Sequence, residues 1–507
     1  MGRPWAEEEM EELDLEDRRL NRRLIEVLSS LADHPQLSIP AACGGFAELV
    51  AAYRLFDNPR VGPDKILKPH VHKTRERIAE QPVALLVQDT TEIDVTRPHQ
   101  QVRGAGSLDQ GSRRGFFLHP VVAFTPGGVP LGTVAAKMWA RPESPEEMSS
   151  QERRARRRSL PLEEKESVRW LEGFQAARDV AQQCPHTRCV CVGDSESDIY
   201  ELFAEPRGAV PVHLLVRAAQ DRTLASTPQD PTSPGSSSAQ ENDEPPAENA
   251  AGSLRAAVLA TPVLFTQPIA IRGRDVTITC KTGAREQPRK SRHAELEVRA
   301  TTVTLQPPRR SGKKLPNVTI NVVLAREINA PDGDVPVEWL LLTTLSIDTE
   351  DEIKAILGYY GNRFMIEVFF RVLKSGCRIE ERQFESLDRL LPCAAVYLIV
   401  AWRTLMVCRL GHDSPDMDCE AVFEPAEWKS VWSVTQQEPL PAQPPRLGDM
   451  IRLVAQLGGY VNRPNRRDPP GPQTVWIGLQ RTRDLAWAWN AFGPGKEASP
   501  SPHSEFP

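Results

Sequence analysis

The stretch from Thr349 to Arg378 constrains this chain most. It contains no proline and carries long apolar side chains at helical spacing, so it predicts a helix of about seven turns. Thr349-Glu-Asp-Glu352 has the form of a capping box at its start. With Tyr360 at zero and about 100° per residue, Arg363, Glu367, Arg371 and Lys374 fall within roughly 60° of one line through Tyr360. Met365, Ile366, Val368, Phe369, Phe370, Val372 and Leu373 fill most of the remaining circumference. A helix that is apolar over more than half its girth is mostly buried, so the polar stripe should face a cleft. Glu367 lies one turn from both Arg363 and Arg371, and flanking cations keep a carboxylate ionised and available to a metal. Arg363 and Lys374 suit an anionic ligand, arginine offering the forked geometry that phosphate favours. The competing reading is an ordinary solvated charged face, for which the stripe is too narrow.

The 507 residues allow several domains and a large core. A net charge of −6 does not announce a nucleic-acid binder, but local basic clusters do. They are Arg18-Arg19 with Arg22-Arg23, the run Arg153-Arg154-Ala-Arg156-Arg157-Arg158, Arg289-Lys290-Ser-Arg292, Arg309-Arg310, Lys313-Lys314 and Arg466-Arg467. Each alone is ordinary surface charge; together, in an acidic chain, they read as patches. The nine cysteines form no CxxC pair and no zinc spacing, which fits a reducing cytoplasm. No apolar leader is expected at the N-terminus. The longest apolar run, Leu390 to Cys408, holds Pro392 and Arg403, so it reads as a buried helix with no membrane involved.

Taken in order, residues 1–76 read as helical, with an amphipathic segment over Glu7–Leu31 that carries Arg18, Arg19, Arg22 and Arg23. A second helix covers Phe46–Phe56 and stops at Asp57-Asn-Pro59, and a third follows Pro63. A short helical domain with a basic face is a candidate DNA-binding module, with a helical cap on a larger core as the alternative. Val83–Val87 and Arg188–Gly193 are short apolar runs of the kind found in fully buried strands, ending at Asp89 and Asp194. Phe116–Thr125 and Val129–Met138 predict a hairpin around Pro126-Gly-Gly128. A helix over Leu162–Ala181, a helix from Ile199 and a strand at Pro211–Val216 complete a mixed α/β sheet. Residues 220–253 collapse to Pro, Ser, Gln and acids and should be disordered. The stretch from about 254 to 345 predicts an antiparallel β insertion. Beyond Gln383 the chain reads as helical over Leu387–Leu410, Ala421–Val434, Leu447–Val461 and Trp476–Phe492.

Asp89 and Asp194 end buried strands, where a side chain is held firmly at the edge of the sheet. With Glu367 they make three carboxylates from separated elements, a pattern that suits two divalent metals for phosphoryl chemistry. Hard oxygen ligands indicate Mg²⁺ or Mn²⁺. Asp94 and Asp198 are nearby competitors, since an aspartate after a strand is as often a cap or turn former. A glycosidase could use paired carboxylates too, but the Tyr, Arg and Lys stripe would then be unexplained.

The spacing Tyr360-x2-Arg363-x3-Glu367-x6-Lys374 resembles the Y-R-E-K signature of the insertion-sequence-four family of bacterial DDE transposases, especially the transposon-five type. Gln88-Asp89-Thr-Thr resembles its first acidic motif and Gly193-Asp194-Ser-Glu-Ser-Asp198 its second. Ala52-Tyr-Arg-Leu-Phe-Asp-Asn-Pro59, Glu164-Lys-Glu-Ser-Val-Arg-Trp170 and Arg452-Leu-Val-Ala-Gln-Leu-Gly-Gly-Tyr460 extend the likeness over almost the whole chain. Ser195 stands where the family commonly has an arginine. The resemblance implies an RNase H-like catalytic core over 77–385, interrupted by the β insertion, between a helical DNA-binding domain at 1–76 and a helical dimerisation domain at 386–507. It implies Asp89, Asp194 and Glu367 as catalytic ligands of two Mg²⁺ or Mn²⁺ ions, and Tyr360, Arg363, Arg371 and Lys374 as contacts to the DNA backbone. Trp339 would stack on a flipped base during a hairpin step, with core packing as its plain alternative. The implied activity is cut-and-paste transposition by a homodimer on double-stranded DNA in the bacterial cytoplasm. A catalytically silent end-binding scaffold and a stand-alone nuclease are the alternatives.

Overall fold

The computed structural model describes residues 5–109, 112–142, 164–225, 252–271, 273, 278–279, 285–286, 290–308, 314–332, 334–461 and 469–494. The arginine run 153–158, most of the acidic stretch 220–253, and Arg289, Arg309, Arg310, Lys313, Arg466 and Arg467 lie outside the described residues. The strands in chain order are β1 (Val83–Gln88), β2 (Thr91–Asp94), β3 (Gly106–Ser107), β4 (Arg114–Phe124), β5 (Pro130–Trp139), β6 (Arg188–Gly193) and β7 (His213–Arg217). They continue with β8 (Phe265–Ile271), β9 (Ile278–Thr279), β10 (Arg285–Glu286), β11 (Arg292–Leu305), β12 (Val318–Ile328) and β13 (Glu338–Thr343). The chain forms two compact units, a first of residues 1–84, 89–159 and 364–507 and a second of 85–88 and 160–363.

The second unit is a mixed sheet in the order β1-β6-β7-β13-β12-β11-β8. The runs that predicted buried strands are buried: Leu85, Leu86 and Val87 in β1, and Cys189, Val190, Cys191 and Val192 in β6. Gln88 Nε2 donates to Cys191 Sγ at 3.1 Å, so even the polar end of β1 has a partner. β6 and β7 pair in parallel, Val190 opposite His213 and Gly193 opposite Val216. The helix Val168–Gln183 feeds β6 and buries Trp170, Phe174, Ala177 and Val180. The strands between 254 and 345 are antiparallel as predicted, and β13 pairs antiparallel with β7, Leu342 opposite Val216, so the stretch extends the same sheet. The reason is that β7 would otherwise leave Leu214, Leu215 and Val216 on an open edge, and the apolar Leu340-Leu341-Leu342 run covers them.

The first unit combines a small antiparallel sheet with helices from both ends of the chain. β4 pairs with β2, β3 and β5. The expected hairpin turn is present: Gly128 adopts φ +84°, and Thr125 and Val129 close the turn with a 2.9 Å bond. The helix Leu387–Asp413 is the centre of the helical part, packed against the helices Arg18–Asp33, Pro63–Ala79 and Leu447–Leu457 and against β5. By length and composition it could cross a membrane, yet 83% of its most apolar window is buried inside the protein. The helix Pro63–Ala79 runs on past the boundary drawn at 76 and stops only before Gln81-Pro82.

The stretch holding the expected amphipathic segment and the stretch read as one central helix are both interrupted. The segment Glu7–Leu31 is broken into Trp5–Glu9 and Arg18–Asp33. Glu16 takes a left-handed φ of 62°, Asp17 caps the second helix through the Arg19 N–H, and Asn21 bonds Leu13 and Leu15. Short polar side chains here compete with helical hydrogen bonding. The central segment starts with the expected Thr349–Glu352 capping box but divides into a helix Glu350–Asn362, a turn at Arg363-Phe364, a helix Met365–Arg371 and a π turn Val372–Gly376. At the turn Arg363 N–H bonds Tyr360 O and Glu367 N–H bonds Phe364 O, three-residue contacts that replace the four-residue ladder.

A buried polar cluster anchors the first helix. Glu9 accepts two bonds from Arg77, at 2.9 and 3.0 Å, and one from His70 Nδ1. The Thr133 N–H donates to His70 Nε2 at 2.9 Å, so the proton of a neutral imidazole sits on Nδ1 and points at Glu9. Burial pushes the Glu9 carboxyl up, but His70 and Arg77 outweigh it and hold it at about 2. Burial depresses His70 below its ordinary value against the opposing pull of Glu9. Both folded values lie below the unfolded ones, so stability is lost as pH falls, first below about 6.5 as unfolded His70 takes a proton, then from about 4.5 towards 2 for Glu9. Denaturant titrations of the full chain should show both declines. Glu9→Gln should cost about 3 kcal/mol at neutral pH and remove the lower one; an unchanged acid limb would show that Glu9 does not cause it.

Candidate active site

In the second unit the site is built at the end of β6. β6 is buried from Cys189 to Gly193 and brings its first carboxylate, Asp194, to its C-terminal end. Gly193 makes the turn possible, since a Cβ there would collide with the Ser197 side chain and touch Trp170. Asp194 is half-buried and caps the short turn Ser195–Ser197, accepting the Glu196 N–H at 2.8 Å. Its competitor Asp198 has another task. It is buried, takes the Arg222 Nε at 3.0 Å, and accepts the Ala219 and Gln220 N–H groups at 2.8 and 3.2 Å.

Tyr360 lies in the same environment. Burial raises its phenol above the ordinary value and the charge of Asp194 adds to this, while Arg363 and Arg217 pull it down. Trp339, on β13, meets the Tyr360 ring edge-on, with centroids 5.3 Å apart and planes at 68°. The Arg363 guanidinium is 6.0 Å from the Tyr360 ring centre. Asp194, Tyr360, Arg363 and Trp339 are therefore gathered with Arg217 into one cluster. Arg217 was missed in the sequence, where β7 was read to end at Val216. The signal was available, because the exposed cation ends a buried strand beside the next turn.

The first unit holds the rest. Asp89 follows β1 and accepts the Thr90 N–H at 2.7 Å, and Thr90 Oγ1 is 2.9 Å from the buried His119 Nδ1. Glu367 and Arg371 are exposed on the helix Met365–Arg371, while Met365, Ile366, Val368, Phe369 and Phe370 are buried. Lys374 sits in the π turn with its Nζ 3.4 Å from Glu380. Glu380 also accepts the Asp94 N–H at 3.1 Å. Burial pushes the Asp94 carboxyl up, but Thr96, Arg113 and Lys374 outweigh it and hold it below its ordinary value. Lys374 thus faces two carboxylates, Asp94 and Glu380, and the second of these was not singled out in the sequence.

The turn at Arg363-Phe364 divides the predicted stripe: Tyr360 and Arg363 belong to the second unit, Glu367, Arg371 and Lys374 to the first. Asp89 and Glu367 likewise lie in the first and Asp194 in the second. Among the described residues, no group of three or more His, Cys, Asp or Glu side chains is gathered where it could hold a metal ion. The donors are nonetheless all carboxylates, the set that hard divalent cations take. On the N-terminal helix, Arg18, Arg19 and Arg22 are exposed and Arg23 half-buried, opposite the buried Leu24, Val27, Leu28 and Leu31. Arg22 and Arg23 both pair with Glu26, at 3.6 and 3.0 Å.

Comparison with known proteins adds two family matches. Residues 2–61 match the transposase DNA-binding family, and residues 399–487 match the transposase Tn5 dimerisation domain. Among solved structures, the chain resembles the piggyBac transposase in a cryo-EM synaptic complex with hairpin DNA. That likeness has a TM-score of 0.34 at 10% identity over 79% of this chain and 67% of that one, too distant to weigh in any argument. Matches to a transposase DNA-binding domain at one end and to a Tn5 dimerisation domain towards the other support a Tn5-type transposase.

Proposed function

We propose that the chain is an active cut-and-paste DNA transposase, which nicks a transposon end, forms and reopens a hairpin, and joins the freed 3′ end to target DNA. The observation that carries this reading is the cluster of Asp194, Tyr360, Arg363 and Trp339 at the end of a buried strand. A carboxylate, a protonated phenol, a guanidinium and an indole together suit a DNA end with a phosphate to grip and a base to stack. The mixed sheet, with Asp89 and Asp194 after buried strands, supports an RNase H-like catalytic core over 77–385, between a DNA-binding domain at 1–76 and a dimerisation domain at 386–507.

In this reading Asp89, Asp194 and Glu367 hold two Mg²⁺ or Mn²⁺ ions, which when bound stabilise charge on the attacking and leaving oxygens of an in-line displacement. The raised phenol keeps Tyr360 a hydrogen-bond donor to a backbone phosphate. Arg363 and Arg371 grip neighbouring phosphates, and Lys374 exchanges Glu380 for another. Trp339 stacks on the flipped base. Arg18, Arg19, Arg22 and Arg23 contact the duplex backbone, and a homodimer brings two ends together in the bacterial cytoplasm. The second reading is a silent end-binding scaffold.

Incubation with the DNA ends flanking its gene, with Mg²⁺ or with EDTA, separates the two readings. Metal-dependent nicks followed by hairpins support the enzyme; binding without cleavage supports the scaffold. Asp89→Asn, Asp194→Asn and Glu367→Gln should each lower nicking by on the order of a hundredfold or more, with gel-shift affinity for the ends little changed. Cleavage surviving any one change removes that residue from the set. Trp339→Ala should slow hairpin formation roughly tenfold, as expected for the loss of one base stack, while first-strand nicking continues. Equal loss of both steps would instead assign Trp339 to packing against Tyr360.

A further inference from the structure

The proposed chemistry leaves one buried imidazole of the first unit without a task. His119 is 2% exposed on β4, and its Nδ1 shares a 2.9 Å hydrogen bond with Thr90 Oγ1, 29 residues away in sequence. Thr90 belongs to the two-residue link Asp89-Thr90 between β1 and β2.

The Thr90 N–H donates to Asp89 Oδ1 at 2.7 Å. That contact joins neighbours in sequence, so by itself it moves with the link and fixes nothing outside it. The hydroxyl supplies the outside anchor. On the next residue the ladder takes over, with Thr91 of β2 opposite Leu118 of β4. Thr90 is thus held on one side by His119 and on the other by a backbone already paired to the same strand. A line of hydrogen bonds then runs from a buried strand, through a hydroxyl and an N–H, to the half-buried carboxylate of Asp89.

Asp194, in the second unit, is fastened differently. Ser197 Oγ donates to Asp194 O at 2.6 Å and the Glu196 N–H donates to its carboxylate, so residues two and three positions on close the turn. A two-residue link has no room for such a turn, and the tie at Asp89 comes from another strand. A carboxylate has about four acceptor positions, so one N–H sets its rotation without exhausting it. Partners that orient a metal ligand from outside are worth about 10- to 100-fold in metal affinity.

We propose that His119 is a positioning residue for Asp89: through the Thr90 hydroxyl it fixes the rotation at which the carboxylate meets a divalent metal. This rests on the reading of Asp89 as a metal ligand. His119 acts only through Thr90. A histidine that merely filled the core would pass its loss to stability and leave metal affinity alone.

The test follows Mn²⁺ binding by electron paramagnetic resonance on the full-length protein with the DNA ends flanking its gene, beside the Mn²⁺ dependence of nicking. Thr90→Val, which keeps the shape and loses the hydroxyl, and His119→Leu should each weaken Mn²⁺ binding roughly tenfold. The Mn²⁺ concentration for half-maximal nicking should rise by a similar factor, while nicking at saturating Mn²⁺ is largely kept. Thr90→Ser restores the hydroxyl and His119→Asn places a polar atom where Nδ1 stood, so both should bind Mn²⁺ close to the wild type. If His119→Leu does not fold, Thr90→Val and Thr90→Ser still decide. Asp89→Asn is the reference. Weakened binding there with unchanged binding in Thr90→Val would overturn the positioning role and leave the metal site standing, as would a loss that Thr90→Ser fails to restore. No Mn²⁺ binding by the wild type, or unchanged binding in Asp89→Asn, would take away the metal reading and the positioning role with it.

Discussion

A strand cannot carry an unpaired carboxylate where both its faces are buried, and this constraint organises the chain. Burial of an unpaired carboxylate is costly enough that the first acid must wait until the strand ends. In β6 the apolar run stops at Gly193, and the next residue is Asp194. In β1 it stops at Gln88, whose amide is satisfied by Cys191 Sγ, and the next residue is Asp89. A firmly held backbone and a carboxylate are thereby brought together just after each strand. Gly193 shows how tight the arrangement is, because the turn that follows occupies the space a methyl group would need.

Much of this could be read from the residues alone. Continuous apolar runs located β1 and β6, Pro126-Gly-Gly128 located the β4–β5 turn, and the apolar stretch around Pro392 and Arg403 located the core helix. These signals are local: each depends on residues within one element. What escaped reading depended on partners distant in sequence or on competition between short polar groups. The break at Glu16-Asp17 is set by Asn21 reaching back to Leu13 and Leu15. The turn at Arg363-Phe364 leaves the apolar spacing of the segment intact, so periodicity passes over it.

The site follows the same division. Tyr360, Arg363 and Trp339 were named from the sequence and are gathered with Asp194. Arg217 was passed over although it ends a buried strand, and Glu380 was not named because nothing near it in sequence announces the ammonium group it faces. Asp198 illustrates the converse. It sits four residues from Asp194 in a similar polar setting, and only Arg222 and two backbone N–H groups reveal it as structural. Sequence supplies candidates of the right chemistry, and partnership separates those that are occupied.

The pairing of β7 with β13 has a consequence for how such a chain can vary. Arg217 stands opposite Leu341, and the Ala218 N–H bonds Leu340 O at 2.7 Å, so the backbone leaves the sheet and returns to it at neighbouring rungs. In topological terms everything between them is the loop of one hairpin, however long. The entropy of closing a loop grows only with the logarithm of its length, and no rung before β7 depends on what the loop contains. Lineages could lengthen, shorten or replace that excursion while the strands carrying the aspartates kept their register. The sheet has a docking port for new sequence whose two terminals are already wired side by side.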